Sequence, residues 1–475
     1  MLAAEVAPFA KVGGLADVAA ALPKTLRALG HDVYIFLPRY GRIDAARFNL
    51  ARLDLEFSLD VGYESLDVGL WQGAIDDVPV FLIDIPWLFG DRASIYGDAD
   101  DGRRFLLFCA AALATVERLD WKPDVIHCND WHTAIVPAML HDGRAGRFFS
   151  GTASVFTIHN LAYQGVVERA ALGGGAALLP DDVRDAWINI MALGLMTADI
   201  VTTVSPTYSR EIVTPEGGAG LDGVLRDRKD RLFGVLNGID TDLLNPATDP
   251  TIAANFDRED PSGKLACKAV LQQEAGFVVD PAVPLLGMIG RLVNQKGLDL
   301  FAAAIEPLLN QTPLQVVILG TGDPAYHALL EHLQRAYPGR IRAWLTFDGI
   351  PAEYIYAGVD MFLLPSRFEP CGLGQMIAMR YGSVPIVRAT GGLAETVEEG
   401  PPSHPRTGFV FGPYEPGALQ DAVLRALDSY SRPAEWRMLM RNGMCADHSW
   451  RRSANAYIDL YRRALVLHRG LDLAR

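Results

Sequence analysis

Seven short stretches of this chain combine residue types that bind anions or hydrogen-bond hydroxyl groups. Lys11-Val12-Gly13-Gly14-Leu15 precedes a helix expected over 16–29. Two glycines at such a turn let backbone N–H groups approach an anion at a helix start, and Lys11 adds a point charge. Alone, the stretch reads equally as a Gly-Gly turn feeding a helix. It is neither a P-loop nor a G-x-G-x-x-G fingerprint. Asn129-Asp130-Trp131-His132 and Thr157-Ile158-His159-Asn160 each put His beside Asn or Asp at a strand end. A lone His there is more often structural, whereas two on neighbouring strand ends point to a pocket for hydroxyl groups. Arg291 and Lys296, in GMIGRLVNQKG, stand just past a strand at a helix start, where the helix dipole disfavours unpartnered cations. A guanidinium and an ammonium converging there suit a diphosphate leaving group. Gly320-Thr321-Gly322-Asp323 closes the next strand with a Gly-rich turn, a weak signal by itself. PSRFEPCGL (365–373) places Glu369 in a loop with Arg367, Cys371 and Gly372, and Gly391-Gly392-Leu393 follows one βα unit later. A carboxylate at a helix start can be a simple cap. Cys371 reads as a buried structural thiol rather than a nucleophile, since no His is spaced to pair with it. No metal-ligand spacing is present, so no metal site is expected.

Those residues need elements to hold them. Short β-branched runs alternate with helical stretches: 33–37, 78–83, 125–127, 155–158 and 200–204, then 285–289, 316–319, 361–364, 385–387 and 409–411. Near-continuous apolar strands separated by helices indicate parallel sheets covered on both faces, an α/β doubly wound pattern occurring twice. Ligands of such sheets bind beyond the strands' carboxyl ends, which is where the unusual residues cluster. The organisation expected is a first domain over 1–245, an interdomain connection over 246–283 with a helix at 263–274, a second domain over 284–445, and a C-terminal helix over 446–475. The tail 434–471 reads as helical, with Trp450, Tyr457, Leu460 and Tyr461 on one side.

At 475 residues the chain is long enough for two or three domains, and 50% hydrophobic with 21% charged is an ordinary folded composition. With 57 Asp and Glu against 43 Lys and Arg, the net charge is −14, which argues against nucleic acid as partner. Five scattered cysteines, none in C-x-x-C spacing, fit a reducing cytoplasm. No signal peptide is visible. The longest apolar runs, 105–116 and 186–198, are too short for the ~20 residues of a membrane span and read as buried helices. Cations and Gly-rich turns for a diphosphate in the second half, with hydroxyl-binding groups in the first, fit a sugar-nucleotide enzyme better than a dehydrogenase or an ATPase.

The residues resemble the bacterial glycogen synthase (starch synthase) family, retaining glucosyltransferases that use ADP-glucose. The likeness runs from about Leu2 to Tyr461. It is carried by AEVAPFAKVGGLADV (4–18), HCNDWHTA (127–134), FTIHNLAYQG (156–165), TVSPTYSREI (203–212), VLNGIDTDLLNPATD (235–249), GRLVNQKGLDL (290–300), PSRFEPCGLGQ (365–375) and TGGLAETV (390–397). The resemblance implies a GT-B fold: two Rossmann-like domains facing across a deep cleft, with the C-terminal helix packing back on the N-terminal domain. It implies transfer of glucose from ADP-glucose to the non-reducing end of an α-1,4-glucan such as glycogen or a maltooligosaccharide. No cofactor and no metal would be needed, and closure of the domains would exclude water. Glu369, His159, Arg291, Lys296 and Asp130 would be the catalytic set. Arg291 and Lys296 would hold the pyrophosphate, Glu369 would contact the donor glucose, and Asp130 and His159 would line the sugar and acceptor side. Lys11, Gly13 and Gly14 would meet donor phosphates and sugar. Gly320, Thr321, Gly322, Cys371, Gly372 and Leu373 would also lie on the donor, with Thr390, Gly391 and Gly392 giving backbone contacts to phosphate. Phe347 stands where the family often has a Tyr stacked on adenine and keeps the π face.

Three departures stand out. Ile377 occupies the eighth position after Glu369, so the E-x₇-E pattern of related retaining transferases is not met, which favours the glycogen synthase branch. Ala192 replaces a Lys common in relatives. The chain opens Met-Leu-Ala-Ala-Glu, where relatives carry several more apolar residues, so the first strand is nearly missing its beginning and either the true start is expected upstream or this form is expected to be destabilised. The alternative reading is a related GT-B glucosyltransferase that uses UDP-glucose or makes maltose 1-phosphate.

Overall fold

The computed structural model describes residues 1–346, 350–400 and 405–470. It divides into two compact units, Met1–Gly238 with Trp450–Arg475, and Ile239–Ser449.

The first unit is built on parallel strands that are buried along most of their length. Val78–Asp84 pairs with Ile35–Pro38, while Val125–Asn129, Ala153–Ile158, Ile200–Thr203 and Leu232–Gly234 lie side by side. Leu2 joins the two groups through single parallel bridges to Phe36 and Cys128. The Met1 amino group donates to the Tyr34 carbonyl at 2.7 Å, and burial lowers its pKa to about 5. The earliest segment thus lies mid-sheet, with later strands added first on one side and then on the other. The strand order reverses beside it, and the loops following Leu2 and Asn129 flank that reversal.

The second unit repeats the plan. Its six strands run in parallel in the order Ile341–Trp344, Gln315–Leu319, Leu285–Ile289, Met361–Leu364, Val384–Arg388, Phe409–Phe411. The reversal falls between Leu285–Ile289 and Met361–Leu364. The loops leaving those two strands carry Arg291 with Lys296, and Glu369. Each unit has its own apolar core. Among the described residues no helix is long and apolar enough to cross a membrane.

The structure corrects the sequence reading in four places. The stretch 246–283 is not a connection; it belongs to the second unit, whose boundaries fall at 238/239 and 449/450. Its helix Gly263–Glu274 is anchored by two buried lysines one turn apart. Lys268 Nζ pairs with Asp360 at 2.7 Å and donates to the Pro281 carbonyl and Tyr430 hydroxyl, both at 2.9 Å. Lys264 Nζ donates to the carbonyls of Ala357 and Tyr381 and to Ser383 Oγ, all at 2.9 Å. Those carbonyls end the helices Ala352–Gly358 and Gly374–Arg380, where a cation is favoured by the helix dipole. Burial nonetheless lowers the Lys264 pKa to about 7. Lys264→Met leaves these acceptors without a donor, and we expect a loss of about 2 kcal/mol in chemical denaturation of the folded chain.

Second, the tail is two helices, Pro433–Cys445 and Trp450–His468. They are interrupted where Ile239 N–H donates to the His448 carbonyl at 2.8 Å and Ser449 N–H is held by Asp447. The second belongs to the first unit and packs against helix Gly14–Ala28 and strand Ala153–Ile158. Third, the run 186–198 is a strand, Trp187–Asn189, before a helix, Ile190–Thr197, whose N-cap Asn189 accepts from Ala192 N–H. Fourth, an antiparallel edge, Glu64–Ile75, pairs with Val78–Asp84 and with Phe57–Val61. Its signal is a period of two: Leu66, Val68 and Leu70 are all buried, between exposed or half-buried neighbours.

Candidate active site

In the second unit the loops flanking the strand reversal touch backbone to backbone. After Leu285–Ile289 the chain passes Arg291, makes a short turn at Asn294–Lys296, and enters helix Leu298–Gln311 through Gly297 at φ +73°. A Cβ on Gly297 would lie 2.1 Å from the Pro365 carbonyl oxygen, so only glycine lets the loops meet. Arg367 N–H donates to the Gln295 carbonyl at 2.8 Å, and Gln295 Nε2 to the Phe368 carbonyl at 3.3 Å. This pairing delivers Lys296 Nζ to Glu369 Oε2 at 2.6 Å, while Ser366 Oγ donates to the same oxygen at 2.9 Å. Glu369 is 6% exposed. Arg367 turns aside to pair with Asp299 at 2.8 Å and lie over the Tyr414 ring.

Two further segments close on this pair. Gly391, at φ +45°, passes so near that a Cβ would stand 1.9 Å from the Glu369 carbonyl oxygen, and Gly392 approaches the Cys371 carbonyl as closely. Gly392 N–H donates to the Glu369 carbonyl at 3.2 Å. Gln375 Nε2 donates to the carbonyls of Cys371 and Gly372 and to Thr396 Oγ1. Thr390 and Cys371 are buried; Leu373 leads into helix Gly374–Arg380. The turn Gly320–Gly322 lies on the Arg291 loop: Leu292 N–H donates to the Thr321 carbonyl at 2.9 Å, and a Cβ on Gly320 would sit 2.0 Å from the Gly290 carbonyl oxygen. Gly322 N–H is taken by His327 Nε2 at 3.1 Å. Phe347 lies outside the described residues.

In the first unit the centre is a carboxylate the sequence reading passed over. Glu5 is 4% exposed. Its Oε2 accepts from the N–H groups of Val12 and Gly13 at 2.5 and 2.8 Å, and Oε1 accepts from the Tyr96 hydroxyl at 2.7 Å. Glu5 therefore folds the Lys11–Gly14 turn onto the helix Gly14–Ala28 start. The N–H groups of Val12 and Gly13 are thereby taken up by Glu5. Lys11 pairs with Asp17 at 2.7 Å on the surface. The available signal was a lone carboxylate, Glu5, inside the apolar opening stretch.

Asp130, at φ +54° and ψ 179°, follows strand Val125–Asn129 in a conformation few residues other than glycine adopt. Its Oδ1 accepts from His159 N–H at 2.7 Å and Asn160 N–H at 3.4 Å. Burial pushes its pKa up to about 7, against those two bonds, and the Glu5 charge adds to the rise. His159 Nε2 meets Asn129 Oδ1 at 2.9 Å, while Asn129 Nδ2 donates to the Leu2 carbonyl. That pairing assigns the proton to Nε2 and leaves Nδ1 as an acceptor. Burial lowers the His159 pKa to about 3, so the ring is neutral at pH 7. The carboxylates of Asp98, Asp100 and Asp101 lie together, but Arg92 and Arg104 are paired with them.

Glu5→Gln supplies one acceptor oxygen where three donors converge and turns an amide N–H₂ toward the others. We expect a stability loss of about 1–3 kcal/mol by thermal or chemical denaturation. Removing the negative charge also lowers the Asp130 pKa, so a pH–rate limb governed by Asp130 moves to lower pH.

Comparison with known proteins settles the kinship. A family profile described as the starch synthase catalytic domain matches residues 1–227, and one for glycosyl transferases group 1 matches 283–429. The chain is 45% identical to the glycogen synthase of Geotalea daltonii across 98% of both proteins. It is also 45% identical to that of Syntrophotalea carbinolica, across 98% of this chain and 99% of the other. It belongs to the glycogen synthase family. The solved catalytic domain of starch synthase IV from Arabidopsis thaliana, bound to ADP and acarbose, superposes with a TM-score of 0.91 at 38% identity and 98% coverage of each chain. A sucrose-phosphate synthase from Thermosynechococcus elongatus shares the fold at TM-score 0.60 and 20% identity, over 93% of this chain and 91% of the other.

This glycogen synthase relative is thus a glycosyltransferase of GT-B fold. Within its second unit the structure brings Lys296, Glu369, Cys371, Gly391 and Gly392 into one cluster, with Gly320–Gly322 on the Arg291 loop beside it. Within its first unit it joins Asp130 to His159 and adds Glu5, which also holds Gly13. Lys11, on the turn that Glu5 folds, pairs with Asp17 in the first turn of the following helix.

Proposed function

We propose that the protein transfers glucose from ADP-glucose to the non-reducing end of an α-1,4-glucan, with retention of configuration. The observation that carries this reading is the Lys296–Glu369 pair at the strand reversal of the second unit, ringed by backbone that tolerates only glycine. A sugar nucleotide offers two features to such a site, a diphosphate and a ring bearing hydroxyl groups.

In this reading Arg291 and Lys296 take the diphosphate, and Glu369 accepts from hydroxyls of the donor glucose. In the first unit, His159 Nδ1 accepts from a sugar hydroxyl, and Asp130 sets the backbone of His159 and Asn160. The C1–O bond to the β-phosphate breaks, charge develops on the departing phosphate oxygen, and the sugar becomes oxocarbenium-like. The 4-hydroxyl of the glucan end forms the new bond on the same face and passes its proton to the phosphate oxygen. ADP and a chain longer by one glucose result. Preorganised cations at the departing oxygen contribute several kcal/mol in such a step, so we assign the work to Arg291 and Lys296 rather than to a metal or cofactor. A cytoplasmic setting accords with five free thiols.

The stereochemistry is checked on the product. Glycogen extended from labelled ADP-glucose should release labelled maltose with an exo-acting hydrolase specific for α-1,4 bonds. A labelled product resistant to that hydrolase contradicts retention.

A further inference from the structure

A two-stranded ribbon on the first unit has an outward face that the reading above leaves unused. Val166–Glu168 pairs antiparallel with Trp187–Asn189 in the register Val166↔Asn189, Val167↔Ile188, Glu168↔Trp187. One face is anchored. Ile188 is 2% exposed, and Val167 packs so closely on helix Asp101–Arg118 that a Cβ on Gly102 would lie 2.7 Å from it. Arg169 N–H closes the ribbon on the Ala186 carbonyl at 2.8 Å. The opposite face presents Trp187, 64% exposed, with Val166, 55% exposed, and Glu168 directly across from the indole.

The ribbon is continuous with the loop that carries His159 and Asn160. Asn189 Nδ2 donates to Gln164 Oε1 at 2.6 Å, Met191 N–H to the Gln164 carbonyl at 3.0 Å, and Ile190 N–H to the Gly165 carbonyl at 3.3 Å. Asn160 in turn fixes the same loop, accepting from Ala162 N–H at its side chain and from Tyr163 N–H at its carbonyl. Six residues from Asn160 to Val166 span at most about 20 Å. The indole therefore stands on a backbone tied both to helix Asp101–Arg118 and to that loop, which lowers the cost of ordering it against a ligand.

We infer that this face binds the α-1,4-glucan acceptor away from its reacting end. The inference rests on the function proposed above and names a second contact for the same substrate. A pyranose ring offers an apolar C–H face to the indole and a rim of hydroxyls to the Glu168 carboxylate. Asp182 and Asp185 are exposed just before Trp187, and the chain carries −14, so anionic polymers are repelled whereas an uncharged glucan is not. A chain held at both places gains by effective concentration, so long acceptors benefit and short ones do not.

The test compares wild type, Trp187→Ala and Trp187→Phe, by retardation in native gels containing glycogen and by kinetics with glycogen and with maltotriose. Trp187→Ala should lose most of the retardation and raise KM for glycogen about five- to tenfold. KM for maltotriose and for ADP-glucose, and kcat, should not change, and Trp187→Phe should restore most of the glycogen affinity. Unchanged retardation and unchanged KM for glycogen overturn the inference. So does a change in oligomeric mass on gel filtration, which would make the face a contact between copies of this chain. Wild-type protein that is retarded by glycogen in a Trp187-dependent way but transfers nothing from ADP-glucose would leave this surface standing and remove the donor assignment instead.

Discussion

Glu369→Ala should lower kcat by about 10³-fold while the protein stays folded. The carboxylate is 6% exposed and its Oε2 carries both Lys296 and Ser366. Removing it frees the ammonium that it orients and, on the function proposed, takes away the acceptor for the donor sugar. Glu369→Gln keeps the shape and the Ser366 contact but leaves Lys296 without its counter-charge, so it should fall close to the Ala variant. Lys296→Ala alone costs about 10²–10³-fold, and the double variant costs far less than the product of the two, because each single change already disables the pair. Steady-state rates on variants whose melting profiles match wild type check this. Full activity in both Glu369→Ala and Lys296→Ala would place the chemistry elsewhere.

Gly391→Ala should be nearly as damaging without touching any functional side chain. Its φ of +45° is strained for any residue with a Cβ, and that Cβ would sit 1.9 Å from the Glu369 carbonyl oxygen. Backbone faces it, so no side chain can swing away, and the Glu369 loop must move. We expect kcat to drop by at least 10²-fold, since displacements near 1 Å already cost that much. A stability loss of about 1–3 kcal/mol should accompany it. Gly417→Ala is the control: it lies in helix Pro416–Tyr430 with nothing within 4 Å of the added Cβ. That change should raise stability by up to about 1 kcal/mol and leave the rate alone. Equal rates in Gly391→Ala and wild type would contradict the packing described for this loop.

The parallel strands were legible because buried strands are short, continuous apolar runs, and Leu285–Ile289, Met361–Leu364 and Phe409–Phe411 coincide with them residue for residue. The candidate residues share one placement: Arg291, Lys296, Asp130, His159 and Glu369 all stand past strand ends, where parallel sheets place ligands. Glu5 was not legible, since its part depends on backbone N–H groups seven and eight residues later and on Tyr96, far along the chain. Lys264 and Lys268 escaped for a related reason. A lysine pair one turn apart reads as a solvated helix face, and only the carbonyls of distant helix ends make burial tolerable. Strand Ile341–Trp344 hid behind Arg342 and its four-residue length.

The most direct test is transfer of labelled glucose into glycogen from ADP-glucose and, in parallel, from UDP-glucose, with EDTA present. We predict rapid incorporation from ADP-glucose, little from UDP-glucose, and no loss of rate on chelation. Incorporation only from UDP-glucose, preferential transfer to glucose 1-phosphate, or a rate abolished by EDTA would contradict the account of this site.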